Sequence, residues 1–236
     1  MGALHSRWHN GNLLFYDTYL HRLVDAVGAD VFKWHLDTVY LPVDDTTTDP
    51  VGYTMTVVEA GGGDSLVALT DGKFVLTTDA AENDGINLQL KGEAFDLADN
   101  NLVYYGIKFQ VSDATQSDFI VGLCITNTAL LGGMTDGVYF RKVDGSTDVK
   151  LVLEKNSTET ESAAIATAAD ATDMVLEFVF DGANIDSWVN GVQQTRLAQT
   201  NLPDDEQLTP SIHFLTGAAA AKTMSVAWAR AIQVNA

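Results

Sequence analysis

From residue 51 to the end of the chain, apolar and polar residues alternate with a period of two. Stretches such as "LVYYGIKFQV" (102–111) and "DVKLVLEK" (148–155) place every second side chain on one face, which is typical of half-buried β-strands. Many of these stretches are followed by Asp-Gly or Asn-Gly, pairs that accept the positive φ angles of tight hairpin turns. Such pairs stand at residues 71–72, 84–85, 136–137, 144–145, 181–182 and 190–191. Short strands joined by tight turns, with no helix between them, predict an all-β sandwich of two antiparallel sheets.

The first 42 residues follow a different pattern. Apolar residues recur there at intervals of three and four, the spacing of one helix face, and Gly28 is a plausible helix end. The positions with this spacing are Leu13, Leu14, Tyr16, Leu20, Leu23, Val24 and Val27. The polar stretch "DDTTTDP" (44–50) then interrupts the pattern. We therefore predict three segments, namely a partly helical arm over 1–42, a linker over 43–50 and a β-sandwich over 51–236.

The charge of the chain restricts its partners. With 32 acidic against 13 basic residues, the formal net charge is −19. Such a surface repels phosphate backbones, so we expect no nucleic-acid partner. No stretch resembles a signal peptide or is apolar for long enough to span a bilayer, so we also expect no membrane partner. Cys124 is the only cysteine, which excludes an intrachain disulfide, and we expect it in the core.

One stretch, "TTDAAENDGINLQL" (77–90), is rich in carboxylates. Asp79, Glu82 and Asp84 could supply oxygen ligands to calcium, which takes several of them from a flexible loop. Their spacing does not match an EF-hand loop, however, and residues 83–85 have the composition of a hairpin turn between two strands. We expect an acidic turn and no cofactor, with calcium binding as the alternative.

The sequence lacks the motifs of known catalytic sites. No strand carries the closely spaced acidic residues of retaining glycosidases, and Glu177 has no acidic neighbour at that spacing. There is no Gly-x-Ser-x-Gly elbow, no phosphate loop and no His-Glu-x-x-His motif. His5 and His9 are four residues apart but have no third metal ligand nearby in the sequence. The sequence therefore predicts that the protein is not an enzyme.

Two resemblances make the prediction more specific. The segment "VLEFVFDGANIDSWVNGVQQ" (175–194) resembles the hairpins of concanavalin A-like, laminin-G-type sandwiches, and "MSVAWARAIQV" (224–234) is similar to their final strand. The segments "LHSRWHNGNLLFYD", "LLGGMTDGVYFRKVDGST" and "NLPDDEQLTPSIHFLTG" resemble a family of tailed-bacteriophage virion proteins associated with the head. The resemblances imply a concanavalin A-like jelly-roll sandwich preceded by a short, partly helical N-terminal arm.

The virion resemblance implies a structural protein, a capsid decoration or cement protein that is made in the host cytoplasm. It would stabilise the phage head by binding the outer capsid surface. Its partners would be the major capsid protein and copies of itself, most simply in a trimer. Apolar residues of the arm and of the loop over 126–137 are the interface candidates. These are Trp8, Phe15, Tyr16, Tyr19, Phe32, Trp34, Leu130, Leu131 and Met134.

The alternative function is a carbohydrate-binding module of a phage tail, a fibre or a secreted protein. Sandwiches of the resembled type bind glycans through exposed aromatic side chains flanked by amide and acid groups. Asp186, Trp188 and Asn190 could form such a group. Trp188 could instead pack across the sheet, as aromatic side chains often do, and would then be a structural residue.

Overall fold

The computed structural model describes residues 4–17, 22–37, 49–58, 66–98 and 100–235 of the 236-residue chain. Regular structure in these residues is almost entirely β-strand. In chain order the elements are β1 (Leu4–His9), β2 (Asn12–Asp17), β3 (Arg22–Val27), β4 (Val31–Asp37), β5 (Tyr53–Val58), β6 (Leu66–Thr70), β7 (Lys73–Thr77), β8 (Gly85–Leu90), β9 (Phe95–Asp96), β10 (Leu102–Val111), β11 (Ser117–Cys124), the short helical turn α1 (Leu130–Gly133), β12 (Gly137–Lys142), β13 (Asp148–Lys155), β14 (Thr158–Glu161), β15 (Ala166–Thr167), β16 (Met174–Phe180), β17 (Ile185–Val189), β18 (Val192–Gln193), β19 (Gln207–Thr216) and β20 (Thr223–Val234). Among these elements, no helix is long and apolar enough to cross a membrane.

The strands form two large antiparallel sheets and one small one. The first large sheet has the order β18-β17-β16-β10-β20-β7-β6, and β4 pairs with β20 beyond the end of β7. The second has the order β14-β13-β12-β11-β19-β8-β5, with β9 beside β19 and β15 beside β13. The small sheet, β1-β2-β3, spans residues 4–27 and is called the meander below. The predicted all-β sandwich is confirmed.

The hydrophobic core lies between the two large sheets. Alternate residues of the central strands face it, so that Val103, Tyr105 and Ile107 of β10 are fully buried. Phe109 of the same strand packs edge-on against Phe119 of β11, with the ring centroids 5.0 Å apart. Each such side chain contributes about 1.5–3 kcal/mol through burial. The period-two pattern of the sequence is therefore the pattern of one buried face per strand.

The arm is built of strands, and the predicted helical character of the arm is wrong. Asn10 and Gly11 have φ angles of 47° and 79°, which close β1 and β2 into a tight hairpin. Leu14 and Leu23 are fully buried because the meander packs on the outer face of the first large sheet. The helix-like spacing thus comes from residues on separate strands. Leu20, one of the positions with that spacing, lies outside the described residues.

Strand β4 joins the predicted arm to the sandwich. It pairs with residues 228–234 of β20, and Trp34 and Leu36 belong to the buried cluster between the large sheets. The indole N–H of Trp34 donates a hydrogen bond of 3.0 Å to the hydroxyl of Tyr53. Most of the predicted linker lies outside the described residues, so the boundaries of the arm and the sandwich stay predictions.

The carboxylate-rich stretch forms the connection between β7 and β8. The backbone N–H of Ala81 donates to the carboxylate of Asp84 at 3.0 Å, and Asn83 has a φ of 68°. Gly85 begins β8 and must be glycine, because a Cβ there would lie 2.1 Å from the carbonyl oxygen of Phe214. The stretch is a turn fixed by its own hydrogen bonds and by the neighbouring strand β19.

Candidate functional site

The outer face of the first large sheet is partly covered by the meander. Leu14, Leu23 and Ala26 pack there against Tyr104 and Trp188 in a second hydrophobic cluster. The cover is incomplete, and a depression remains on either side of the packed residues. These two depressions, together with one on the second sheet, contain the chemically distinctive side chains of the described part of the chain.

The first depression, called the meander cleft, has a volume of about 600 Å³. This is within the range of about 300–1,000 Å³ that is usual for small-molecule sites. Its walls come from β1 and β2 of the meander and from β10, β16, β17 and the turns beside them. The lining residues are His5, Ser6, Arg7, His9, Asn10, Leu14, Tyr16, Asp17, Asn100, Leu102, Val179, Asp181, Asp186 and Trp188. The cleft therefore combines apolar and aromatic surface with many polar groups.

Two of the three predicted sugar-binding residues line this cleft. Asp186 and Trp188 alternate along β17 and so point to the same face of the sheet. The carboxylate of Asp186 accepts two hydrogen bonds from the guanidinium of Arg196, at 2.8 and 2.6 Å, which fix its orientation. Trp188 is 1% exposed, and its indole N–H has no acceptor among the described residues. Trp188 is therefore not an exposed aromatic. It is packed under the meander, as in the structural alternative given above, and contributes to the cleft only as part of its floor.

The opposite wall of the cleft is an arginine–tyrosine pair. Arg7 donates a hydrogen bond of 2.8 Å to the hydroxyl of Tyr16, and its guanidinium carbon lies 4.5 Å from the centroid of that ring. Burial raises the pKa of Tyr16 from its ordinary value of 10.0, and the charge of Arg7 opposes the rise. Tyr16 therefore stays a neutral phenol at physiological pH, held in place by a cation.

The third predicted sugar-binding residue, Asn190, is not in the meander cleft. It begins the turn after β17, and its side-chain oxygen accepts a hydrogen bond of 2.8 Å from the backbone N–H of Val175. It lines a second depression of about 420 Å³, called the arginine groove below. The groove residues are Arg22, Val175, Glu177, Asn190, Gly191, Trp228 and Arg230.

A chain of charged and polar side chains crosses the base of the arginine groove. The buried carboxylate of Glu177 forms an ion pair with Arg22 and accepts a hydrogen bond of 2.8 Å from the hydroxyl of Tyr104. The same hydroxyl oxygen accepts hydrogen bonds from Nε and Nη2 of Arg230, both 3.2 Å long. Burial, followed by the charge of Glu177, raises the pKa of Tyr104, which therefore remains a donor to that carboxylate.

A third depression lies on the outer face of the second large sheet and is called the carboxyl pocket. Its volume is about 250 Å³, and Tyr139, Arg141, Glu154 and Glu159 are among its lining residues. Glu154 and Glu159 stand directly opposite each other across the hairpin of β13 and β14. The phenol oxygen of Tyr139 lies 2.8 Å from one carboxylate and 3.4 Å from the other. The hairpin thus brings together two carboxylates that lie on different strands, so the acidic spacing along a single strand does not reveal them.

The two carboxylates of this pocket have different environments. Burial and the nearby charge of Glu159 raise the pKa of Glu154, although the hydrogen bond from Tyr139 opposes the rise. Glu159 instead accepts two hydrogen bonds from the guanidinium of Arg141, at 2.5 and 2.7 Å, which balance its charge. A carboxyl group with a raised pKa beside a carboxyl group held by a guanidinium is an arrangement that general acid–base chemistry uses.

The predicted metal ligands and interface residues are dispersed in the structure. Among the described residues, no group of three His, Cys, Asp or Glu side chains could hold a metal ion, so Asp79, Glu82 and Asp84 are not brought together as such a group. Of the interface candidates, Trp8 and Phe32 are exposed. Phe15, Tyr16 and Leu131 are half-buried, and Trp34, Leu130 and Met134 are buried within the chain itself. Tyr19 lies outside the described residues.

A buried polar row was also missed by sequence reasoning. Asn87 and Gln89 of β8 stand opposite His213 and Ser211 of β19, on the outer face of the second sheet. Neither ring nitrogen of His213 has a hydrogen-bond partner among the described residues, and burial lowers its pKa to about 4. His213 is therefore neutral at physiological pH and is not positioned as a proton donor.

No protein-family model and no curated protein match the sequence. Solved structures do match it. An endo-1,3-beta-glucanase from Streptomyces sioyaensis is 11% identical, with a TM-score of 0.61 over 90% of this chain and 100% of that one. A lichenase derived from a mouse hindgut metagenome is 12% identical, with a TM-score of 0.58 over 86% and 98%. The potassium-bound carbohydrate recognition domain of Emp46p is 13% identical, with a TM-score of 0.56 over 77% and 88%.

These similarities show the fold, which is the concanavalin A-like β-sandwich of glucanases and lectins. That part of the first resemblance is confirmed. The comparisons give no support to the phage virion protein, to the capsid partner or to a homo-oligomer. The neighbours named above are two glucanases and a carbohydrate recognition domain, the protein classes in which the alternative function would place this chain. The location on a virion stays an expectation from the sequence.

The prediction that the protein is not an enzyme is wrong as a conclusion from the sequence. Glycoside hydrolases share this fold, including the glucanase and lichenase named above and a further glycosidic hydrolase. The prediction relied on acidic residues spaced along one strand, whereas Glu154 and Glu159 meet across two strands. A missing motif therefore does not exclude catalysis on this sandwich.

Proposed function

We propose that the protein binds carbohydrate in the meander cleft. The observation that carries this proposal is a cleft in which the carboxylate of Asp186, held by Arg196, lies opposite the half-buried ring of Tyr16, over a floor that includes the buried Trp188. Sugars present apolar C–H faces together with hydroxyl groups that both donate and accept hydrogen bonds. A cleft with aromatic surface and a fixed carboxylate matches both properties.

The floor of the cleft contains a buried donor that has no acceptor in the described part of the chain. A buried N–H without an acceptor costs about 1–3 kcal/mol, and the indole N–H of Trp188 has none among the described residues. Because this N–H is shielded from solvent, a hydroxyl group of a ligand would reach it and remove this cost only if the Trp188 ring moved. The carboxylate of Asp186 would accept from a second hydroxyl group with a charge-assisted hydrogen bond.

The charge of the protein favours neutral glycans in this cleft. The net charge is −19, and Asp17, Asp181 and Asp186 all line the cleft. An anionic chain would be repelled by this acidic surface, although Arg7 in the cleft wall and Arg196 beside Asp186 offset part of the charge within the cleft. Neutral β-glucan oligosaccharides, the substrate class named for two of the structural neighbours, are therefore the first ligands to test.

Substitution of the two predicted residues tests the cleft. We expect Asp186→Asn and Trp188→Phe each to weaken binding of neutral β-glucan oligosaccharides about tenfold, because the first replaces a charged acceptor by a neutral amide and the second changes the shape of the cleft floor. Isothermal titration calorimetry measures the effect, and thermal melting verifies that both variants fold. The matched control is Asp173→Asn, which breaks a surface ion pair with Lys73 and Lys108 away from the cleft. Unchanged affinity in both cleft variants would show that the ligand binds elsewhere.

A second candidate function, hydrolysis of glycosidic bonds, is supported by the carboxyl pocket. Both carboxylates contact the phenol oxygen of Tyr139, so their separation is on the scale of the roughly 5 Å found in retaining glycosidases. Glu154, with its raised pKa, would donate a proton to the leaving oxygen of the glycosidic bond. Glu159, held by Arg141, would attack the sugar carbon from which that oxygen departs.

Conservative substitution tests this second function. We expect the protein to release reducing sugars from a mixed-linkage β-glucan, and Glu154→Gln and Glu159→Gln each to lower the rate at least a hundredfold, the usual effect of removing an acid–base group. The matched control is Glu82→Gln in the exposed turn between β7 and β8. If the protein releases no sugar, or if Glu154→Gln remains as active as the control, the pocket is not a hydrolytic site.

A further inference from the structure

Arg230 has an unusual environment for a cation in so acidic a protein. Most lysine and arginine side chains of the described residues lie within ion-pair distance of a carboxylate. Arg230 forms no such pair within the described part of the chain. It donates to the hydroxyl of Tyr104, and its guanidinium carbon lies 5.0 Å from the ring centroid of Tyr104 and 5.2 Å from that of Trp228.

At the base of the arginine groove, the guanidinium of Arg230 has no carboxylate of the described residues within ion-pair distance. Glu177 balances the charge of Arg22, with which it is paired, and Tyr104 between Glu177 and Arg230 is neutral. The carboxylate of Asp25 lies within electrostatic range of Arg230 but is bonded to Lys33 at 2.6 Å. A single further carboxylate would complete the balance, and nothing in the described residues supplies it.

The geometry of the groove suits a planar anion beside an apolar ring face. Two hydrogen bonds to Tyr104 and two aromatic contacts fix the guanidinium of Arg230, so little side-chain entropy remains to be lost on binding. Its remaining N–H groups form the fork that matches a carboxylate. Trp228, two residues earlier on β20, is half-buried and lines the same groove. The buried Nε of Arg22 also has no acceptor among the described residues.

We infer that the arginine groove binds a sugar ring that bears one carboxylate, with the carboxylate on Arg230 and the ring on Trp228. The sugar part of this inference rests on the proposed function, whereas the carboxylate part rests on the groove alone. The groove is a neighbour of the meander cleft, since Glu177 at its base stands directly opposite Trp188 on the cleft floor. The ligand carries a single charge, because a polyanion would extend over the acidic surface and be repelled by it.

Two disaccharides that differ by one carboxylate test the inference. The probes are cellobiouronic acid and the neutral cellobiose, titrated into the full-length protein while the indole N–H signals are followed by NMR. We expect cellobiouronic acid to bind about tenfold more tightly than cellobiose, the factor expected of one charge-assisted hydrogen-bonded pair. The preference should disappear in Arg230→Gln and be reduced in Arg230→Lys, which keeps the charge but loses the planar fork. If Arg230→Gln does not fold, Arg230→Lys carries the test.

The control variant is Lys108→Gln, which removes an equal charge from β10 next to Trp228 in the sheet register. This variant should keep the preference for cellobiouronic acid, since Lys108 is paired with Asp173 and does not line the groove.

The outcomes distinguish the groove from the cleft. Equal affinities for both disaccharides, with weaker cellobiose binding in Trp188→Phe, would overturn the groove as a binding site and leave the proposal for the meander cleft intact. Binding of cellobiouronic acid alone, dependent on Arg230, would support the groove and contradict the cleft. Sodium sulfate serves as the probe for the anion alone. If it binds as tightly as cellobiouronic acid and with the same dependence on Arg230, the sugar part of the inference is overturned. If neither disaccharide binds, the whole inference is overturned.

Discussion

Replacing Glu177 by alanine is expected to destabilise the protein by about 3 kcal/mol or more. Glu177 is 1% exposed and joins Arg22 to Tyr104, so its removal leaves a largely buried guanidinium without its counter-charge and a buried hydroxyl without its acceptor. Breaking a buried ion pair on one side costs about 3–5 kcal/mol. The lower end applies because the Arg22 side chain is 24% exposed and water can partly solvate it. Urea unfolding of both proteins measures the difference.

An exposed ion pair provides the comparison for Glu177. Asp173→Ala breaks the contacts of Asp173 with Lys73 and Lys108, whose side chains are about a third exposed, and should cost less than about 1 kcal/mol. In the double variant lacking both Arg22 and Glu177, the loss should be smaller than the two single losses combined, because no unpaired charge is left behind. Equal and small losses for Glu177→Ala and Asp173→Ala would show that the meander does not hold Arg22 against the sheet.

The two-sheet sandwich could be predicted because the alternation of apolar and polar residues within each strand shows which of its faces is buried. In a strand such as β10, one face meets the core and the alternation is visible within ten residues. The meander gave a misleading pattern for a physical reason. Its strands are six residues long, and the β2–β3 pairing shifts register between Phe15 and Tyr16, so the alternation is broken before it can be recognised. Its burial also depends on residues of β10, β16, β17 and β20, strands that begin more than seventy residues after the meander ends.

In the candidate sites too, contacts within one strand could be predicted from the sequence, whereas contacts between distant segments could not. Asp186 and Trp188 could be paired from the sequence because they alternate on one strand. Tyr16 was predicted at an interface, whereas it lines the cleft opposite them, a contact that only the meander packing creates. Glu154 and Glu159 could not be paired from the sequence, because the turn between them contains no Asn-Gly or Asp-Gly pair. Asn156 and Ser157 have φ angles of 50° and 61° and form a two-residue hairpin turn, which places the flanking glutamates opposite each other.

Two tryptophans of the N-terminal segment distinguish a segment that belongs to the core from one that serves attachment. Trp34 is 7% exposed, whereas Trp8 is 73% exposed on the meander. Trp34 also donates to the hydroxyl of Tyr53 and stacks on Tyr105, with the ring centroids 6.5 Å apart. The two side chains are chemically identical, so a difference between their alanine variants reports only their surroundings.

We expect Trp34→Ala to destabilise the full-length protein by about 3–5 kcal/mol, the cost of a large cavity between the sheets together with a lost hydrogen bond. Trp8→Ala should change stability by no more than about 0.5 kcal/mol, as exposed substitutions do. Thermal and urea unfolding of both variants provide the measurement.

A small effect of Trp34→Ala would mean that β4 is not part of the folding unit and that the predicted arm is separable. A large effect of Trp8→Ala would instead mean that its ring is covered, either by residues outside the described ranges or by a second copy of the chain. Repeating the melt at several protein concentrations decides between these, because only a second copy makes the midpoint depend on concentration.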